Sequence, residues 1–298
     1  MLRTGRATIT LDRPWLMGIV NASPESFSDG DRIGDRQTQV ARAAALIAEG
    51  ADVIDVGGES GVTGQPAVDP SEEIARVVPV IERITKDLGA VVSVDTYKPA
   101  VAEAAIRAGA SIVNDVSGLR DPELADLCAD TGAALVIMHT RTPPKVKLTD
   151  PDHYDDVVQD VVDFLEERVE LATSRGVHVE QLMLDPGPDF AKTPHQTVAT
   201  LRSLGVLHAK FARPLLLAVS RKDFIGAVTG RPPRERDAGT LAALGEAADA
   251  GAHMVRLHDV RAASDFLTVR AVLRGEREVP RDLLLDPSLR RQAQPPRS

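Results

Sequence analysis

The chain has 298 residues, 43% of them hydrophobic and 27% charged, with a formal net charge of −9. This is an ordinary balance for a soluble globular protein, and the length suits one large α/β barrel whose core needs no staples. The acidic surface excludes nucleic acid and anionic membrane as natural partners, no apolar run reaches transmembrane length, and no apolar segment follows Arg3 and Arg6 to make a signal peptide.

Residues 1–14 read as an N-terminal cap, with a small strand at 7–11 lying over a barrel floor. After it, one short apolar run, a polar loop and a longer helical run repeat eight times. The predicted strands are 15–21, 53–57, 91–95, 111–115, 134–139, 182–185, 215–218 and 253–257. Each is short and mostly apolar, as parallel strands buried on both faces are. The predicted helices are 38–49, 71–88, 99–108, 122–130, 152–174, 193–203, 234–250 and 262–273. Ser71 before Glu72 and Glu73, and prolines at 99 and 122, are helix-start signals. Gly50, Gly89, Gly109 and Gly251 stand where helices should end. The lone cysteine, Cys128, sits in a helical stretch and reads as a buried small hydrophobe. It excludes an internal disulfide and a Cys-based zinc site, and it fits a reducing cytoplasm. Strict strand–helix alternation predicts right-handed βαβ units closing into a single-domain (β/α)8 TIM barrel over 15–276. Residues 277–298 read as a partly disordered tail, richest in Arg, Gln and Pro from 290 onward.

Barrel active sites lie at the C-terminal ends of the strands. Every predicted unit carries a polar residue there: Asn21, Asp55, Asp95, Asn114 with Asp115, His139, Asp185, Ser220-Arg221-Lys222, and Arg256 with His258. One Asn or Asp at a strand end is ordinarily a turn former or helix cap. Eight polar strand ends on one rim are hard to explain as caps alone. Asp95, Asn114, Asp185 and Lys222 mix acceptors and donors in a way that suits a planar heterocycle with an amidine-like edge and a carbonyl. Arg256 and His258, two apart on one strand, share a face. With Asn21 they suit a phosphate and a hard metal ion. The competing structural roles are an inward-facing ion pair for Arg256 and a satisfied rim histidine for His258.

Several motifs in fixed order carry a resemblance. Gly18-Ile19-Val20-Asn21-Ala22-Ser23-Pro24-Glu25-Ser26-Phe27-Ser28-Asp29-Gly30 resembles the first-strand signature of the dihydropteroate synthase family, and Ile54-Asp55-Val56-Gly57-Gly58-Glu59-Ser60 the second. Ser93-Val94-Asp95-Thr96, Asn114-Asp115-Val116-Ser117-Gly118, Met138-His139, Leu184-Asp185-Pro186-Gly187, Ser220-Arg221-Lys222 and Arg256-Leu257-His258-Asp259-Val260 follow in the family's order. The resemblance implies a pterin-binding barrel that joins 6-hydroxymethyl-dihydropterin pyrophosphate to 4-aminobenzoate, a cytoplasmic homodimer and target of sulfonamides. It implies pterin contacts from Asp95, Asn114, Asp185 and Lys222, with Met138 and Phe190 against the rings. Asn21, Arg256 and His258 are implied for the pyrophosphate, with Asn21 as ligand of Mg2+. Phe27, Ser28, Lys222 and Asp223 are implied beside the aminobenzoate, with the loop carrying Phe27, Ser28 and Asp29 closing over the site. Asp29, Asp95, Asp185, Lys222 and Arg256 are then the catalytic set. Pyrophosphate leaves first, carboxylates stabilise a delocalised pterin methylene cation, and the neutral arylamine attacks. No activated Ser or Cys is needed, in keeping with the absence of a nucleophile-elbow motif.

Four places depart from the family pattern. Gly61-Val62-Thr63-Gly64 replaces Thr-Arg-Pro-Gly, removing a hydroxyl and a guanidinium from the second loop. Pro188-Asp189-Phe190 places Asp where Gly is usual, adding bulk and charge near the pterin, and is similar to a divergent actinobacterial paralogue. Thr140-Arg141-Thr142-Pro143-Pro144 lacks the usual glycine. Asp223 follows Lys222 where Ser or Arg is common, and its charge should oppose the aminobenzoate carboxylate. These changes predict normal pterin binding with weakened handling of 4-aminobenzoate and sulfonamides, unless Lys145 or Lys147 supplies the missing charge. A non-catalytic or altered-specificity pterin-binding paralogue is the first alternative. A pterin-dependent methyltransferase on the same barrel is the second, disfavoured by Ser220-Arg221-Lys222 and the 27–30 loop.

Overall fold

The computed structural model describes residues 1–22, 36–60, 64 and 66–289. The expectations for Phe27, Ser28, Asp29, Gly61, Val62, Thr63 and the tail from residue 290 fall outside the described residues. A hairpin of β1 (Leu2–Arg3) and β2 (Thr8–Ile9) comes first. Then follow β3 (Trp15–Asn21), α1 (Arg36–Ala48), β4 (Val53–Gly57), α2 (Pro70–Leu88), β5 (Val91–Asp95), α3 (Pro99–Ala108), β6 (Ile112–Asp115), α4 (Glu123–Thr131), β7 (Ala134–Met138) and α5 (Val157–Ser174). The last part holds β8 (Leu182–Asp185), α6 (Pro194–Arg202), α7 (Leu204–Phe211), β9 (Leu216–Leu217), α8 (Asp223–Thr229), α9 (Asp237–Asp249), β10 (Met254–Leu257) and α10 (Val260–Leu273). Among the described residues no helix is long and apolar enough to cross a membrane.

Eight parallel strands run in the order β8-β7-β6-β5-β4-β3-β10-β9. A parallel bridge from Leu184 to Leu215, with Leu184 N donating to Pro214 O at 2.9 Å, joins the two ends into a ring. The fold is a (β/α)8 barrel, as the alternation predicts. Successive strand side chains point to opposite faces. On β4, Ile54 and Val56 pack outward in the main core under the helices, while Val53 packs in the inner floor. Met17, Ile112, Ala134, Val136, Met183, Leu216 and Met254 fill that floor with Val53. The same parity one step higher aims Asp55, Ser93, Asn114, Asp185 and Arg256 into the barrel, above an apolar plug. Leu2 and Ile9 of the hairpin close the plug from below, so the expected cap strand exists, shortened to two residues and paired with a strand not foreseen.

Most helix boundaries shift by one or a few residues toward their caps. Asp69 accepts from Ser71 N, with Pro70 at the first helical position. Asp156 accepts from Val158 N and Gln159 N and starts α5 five residues later than its apolar pattern suggests. α7 and α8 were not foreseen. They have eight and seven residues, too short for a periodic signal to stand out from loop.

The hairpin plug is testable. Leu2 is fully buried although it is the second residue of the chain. Leu2→Ala should cost about 2–5 kcal/mol in denaturant unfolding, as a core truncation does. A loss below about 1 kcal/mol, the level of a frayed terminus, would remove the hairpin from the core.

Candidate active site

A cavity of about 630 Å3 opens at the C-terminal rim. Asn21, Asp95, Asn114, Met138, Asp185, Phe190, Lys222, Asp223, Arg256 and His258 all line it. The expected ligand-contacting residues that are described are brought to one place, while three of the polar strand-end residues do not line it: Asp55 lies beneath, Asp115 accepts from Ser117 N and Leu119 N, and His139 turns to Asp160 and Lys192.

Its innermost charged feature is a three-way contact. Arg256 points inward from β10; its Nε donates to Asp55 Oδ2 at 2.6 Å and its Nη2 to Asp95 Oδ2 at 2.8 Å. Asn114 Nδ2 also donates to Asp55 Oδ2, at 3.3 Å. Asp55 is fully buried, and its other oxygen has no hydrogen-bond partner. Burial raises the Asp95 carboxyl above its ordinary range; the Arg256 charge opposes this and Asp55 adds to it. Arg256 therefore forms the inward ion pair and also lines the cavity. At the rim Ser220 Oγ accepts from His258 N at 3.2 Å and is hydrogen-bonded to His258 Nδ1 at 2.8 Å. Desolvation, then the charges of Arg256 and Arg221, pull the His258 imidazole down to about 4. His258 is therefore neutral at ordinary pH.

Opposite lies Asp185, buried, with Oδ1 accepting from Gly187 N at 2.7 Å. Burial pushes its carboxyl up to about 6, opposed by the Gly187 N–H and by Lys222. Lys222 Nζ stands 4.3 Å from the Phe190 ring centroid. Gly187 has φ +64, and a Cβ there would run into the His139 carbonyl, so the turn after β8 requires glycine.

Behind this wall is a buried relay that the sequence did not reveal. Lys192 Nζ donates to His139 Nδ1 at 2.6 Å, to Gly187 O at 3.0 Å and to Phe190 O at 3.2 Å. His139 Nε2–H donates to Asp160 Oδ1 at 2.9 Å, and Arg141 grips the same carboxylate with two N–H groups. Three acceptors use all three ammonium protons of Lys192. A lysine in a loop looks like a solvated one from sequence, and only His139 at its strand end hinted at a buried polar group.

Two of the departures, Asp189 and Asp223, make cross-loop contacts, and Lys145 braces the second loop near a third. Lys145 Nζ reaches Glu59 Oε1 at 3.1 Å and Pro66 O at 2.9 Å, bracing the second loop from the fifth. Glu59 also accepts from Lys98 at 2.6 Å and Tyr97 at 3.0 Å. Asp223 is paired with Arg236 at 3.1 Å and Lys147 at 3.4 Å, so the repulsion expected of its carboxylate is largely offset. Asp189 does not crowd the cavity with free charge: its carboxylate accepts from the first backbone N–H groups of α8.

A closed barrel with acidic, amide and lysine groups set around an apolar wall defines a class, an enzyme that holds a flat polar heterocycle at its strand ends. Residues 17–258 match the pterin binding enzyme family, and the chain belongs to it. It is 42% identical over 251 residues to the dihydropteroate synthase of Bacillus subtilis, covering 84% of this chain and 85% of that one. The dihydropteroate synthase of Escherichia coli is 38% identical over 262 residues, with 88% and 92% covered. The structure of Xanthomonas albilineans dihydropteroate synthase in complex with 7,8-dihydropteroate is similar at a TM-score of 0.82 and 42% identity, covering 91% of this chain and 98% of that one.

Two predictions follow from the charges. Arg256→Met strands Asp55 in the barrel interior and should cost about 3–5 kcal/mol of stability, with much of that restored by adding Asp55→Asn. Denaturant unfolding of both variants decides it; a single variant as stable as the wild type would show that the pairing holds nothing. The second concerns Lys192, which burial pushes down to about 7 from 10.5. Between those values the unfolded chain keeps a proton that the folded chain has released, so stability should rise with pH across that window. Lys192→Met should flatten this slope in thermal unfolding scanned over the same window, and an unchanged slope would assign the titration elsewhere.

Proposed function

We propose that the cavity joins 6-hydroxymethyl-dihydropterin pyrophosphate to 4-aminobenzoate, forming dihydropteroate and pyrophosphate, and that it does so in the cytoplasm. The observation that carries this reading is the convergence of Asp95, Asn114, Asp185 and Lys222 with Met138 and Phe190 on one cavity wall. A carboxylate takes two N–H groups side by side, and a lysine donates to a carbonyl, which matches the pterin edge. Relatives named as dihydropteroate synthases, at about 40% identity over most of the chain, support it. So does the likeness to a synthase structure bearing 4-aminobenzoic acid, at 44% identity and a TM-score of 0.82.

In the reaction the C–O bond between the pterin methylene and pyrophosphate breaks, the arylamine nitrogen forms a C–N bond to that carbon, and the nitrogen gives its proton to water or pyrophosphate. Asp185 and Asn114 hold the heterocycle edge, and Lys222 sets its carbonyl. The carboxylates of Asp95 and Asp185 face the methylene as positive charge develops on it. Arg256 and neutral His258 receive the departing phosphate oxygens. No group of three or more His, Cys, Asp or Glu among the described residues is arranged to hold a metal ion. The amide oxygen of Asn21 at the cavity mouth suits an ion held mostly by phosphate oxygens and water, which is how Mg2+ ordinarily binds. Mg2+ bound there would neutralise charge on the leaving pyrophosphate.

A coupled assay of pyrophosphate release, run with and without 4-aminobenzoate, tests the reading: release should depend on the arylamine, and a chain that binds pterin without such turnover is the paralogue instead. Asp185→Asn should weaken pterin binding at least about tenfold in calorimetry, since a hydrogen bond to a charged group is worth about 1.5–3 kcal/mol. In the wild type, affinity should rise with pH as Asp185 ionises near about 6, and the Asn variant should lack that rise. Equal affinities in the two proteins would take Asp185 out of the site.

A further inference from the structure

Asp189 stands where the backbone is left-handed, with φ +64. Glycine adopts that conformation freely, whereas an L side chain is retained there against strain. The side chain joins two elements. Its Oδ1 accepts from Thr197 Oγ1 on α6 at 3.1 Å, and the Asp189 backbone N donates to Thr197 Oγ1 at 3.0 Å. Its Oδ2 accepts from Asp223 N at 2.5 Å and Phe224 N at 3.4 Å, the first N–H groups of α8. The first turn of a helix has N–H groups with no partner inside the helix. Lys222, the residue before α8, has no acceptor to give them, and no side-chain cap comes from it. The cap comes from 34 residues away in sequence.

The next residue on each side of this bond belongs to the site. Asp189 precedes Phe190, and Asp223 follows Lys222. Tying 189 to 223 therefore draws 190 and 222 together, and it is these two that make the 4.3 Å contact of ammonium over ring. We propose that Asp189 is a positioning residue: by capping α8 across the rim it fixes Lys222 against Phe190 in the pterin-binding wall. Its negative charge has a further effect. Burial lowers the Lys222 ammonium, and Asp189 is the foremost of the charges that oppose this. The clasp thus favours both the place and the protonated state of Lys222. The proposal rests on the reading of the cavity as a pterin site.

Three variants test it: Asp189→Gly, Asp189→Asn and Lys222→Met. Glycine relieves the left-handed backbone and removes the cap, so the fold should persist with little change in Tm. Asparagine tolerates the same backbone and keeps one acceptor oxygen. In mass-spectrometric labelling with an amine-reactive reagent, Lys222 should react severalfold faster in the Gly variant and near the wild-type rate in the Asn variant. In calorimetry with a pterin lacking pyrophosphate, Asp189→Gly should weaken binding about tenfold, and Asp189→Asn should recover most of it. In the Lys222→Met background Asp189→Gly should cause no further loss, because the two act as one unit. An additive loss there, or labelling of Lys222 unchanged by Asp189→Gly, overturns the proposal. A wild-type chain that binds no pterin overturns the reading of the cavity instead, and the labelling still decides whether Asp189 positions Lys222.

Discussion

A carboxylate with no exposed surface inside a barrel persists in ionised form only where an opposite charge lies within hydrogen-bonding reach. Asp55 is such a carboxylate, and Arg256 answers it from across the ring. The same guanidinium also holds Asp95, and Asn114 joins through Asp55, so the ends of β4, β5, β6 and β10 are drawn to one point. Two carboxyl groups thus share one guanidinium at the inner end of the cavity. The floor beneath them is apolar, and at this level Asp55 keeps one oxygen without a partner, as does the Ser93 hydroxyl beside it.

The opposite wall is built by a different principle. Its side chains sit on turns, and turns take their shape from what they touch. Gly187 lets the chain fold back onto the His139 carbonyl, and Lys192 ties the carbonyls of Gly187 and Phe190 to His139 and through it to Asp160. Lys145 joins the second and fifth loops, while Asp223 is held by Lys147 and Arg236. These bridges lie where the chain departs from the pattern it otherwise resembles. Of the departing residues that are described, Asp189 and Asp223 each find a partner on another loop.

The strand ends were legible because their signal is local. An apolar run with a polar residue at its C-terminal end, followed by a helix, can be recognised within about 30 residues, the span of one βαβ unit. Parity along a strand then says which side chains share a face, as it did for Arg256 and His258. The short helices α7 and α8 were missed since one or two turns give no period to read. Lys192 was missed since nothing near it in sequence marks it as buried.

By itself the sequence determined the order of elements, the closure into eight units and the polar residues at the strand ends, because alternation and helical spacing are set by neighbours along the chain. The tertiary structure alone decided which of those residues pair. Arg256 meets Asp55 across 201 residues and Asp95 across 161, and Asp189 caps a helix that begins 34 residues later. Such contacts exist only once the ring has closed and the loops have settled on its rim, since burial and distance, which fix the strength of every charge interaction here, have no value in an open chain.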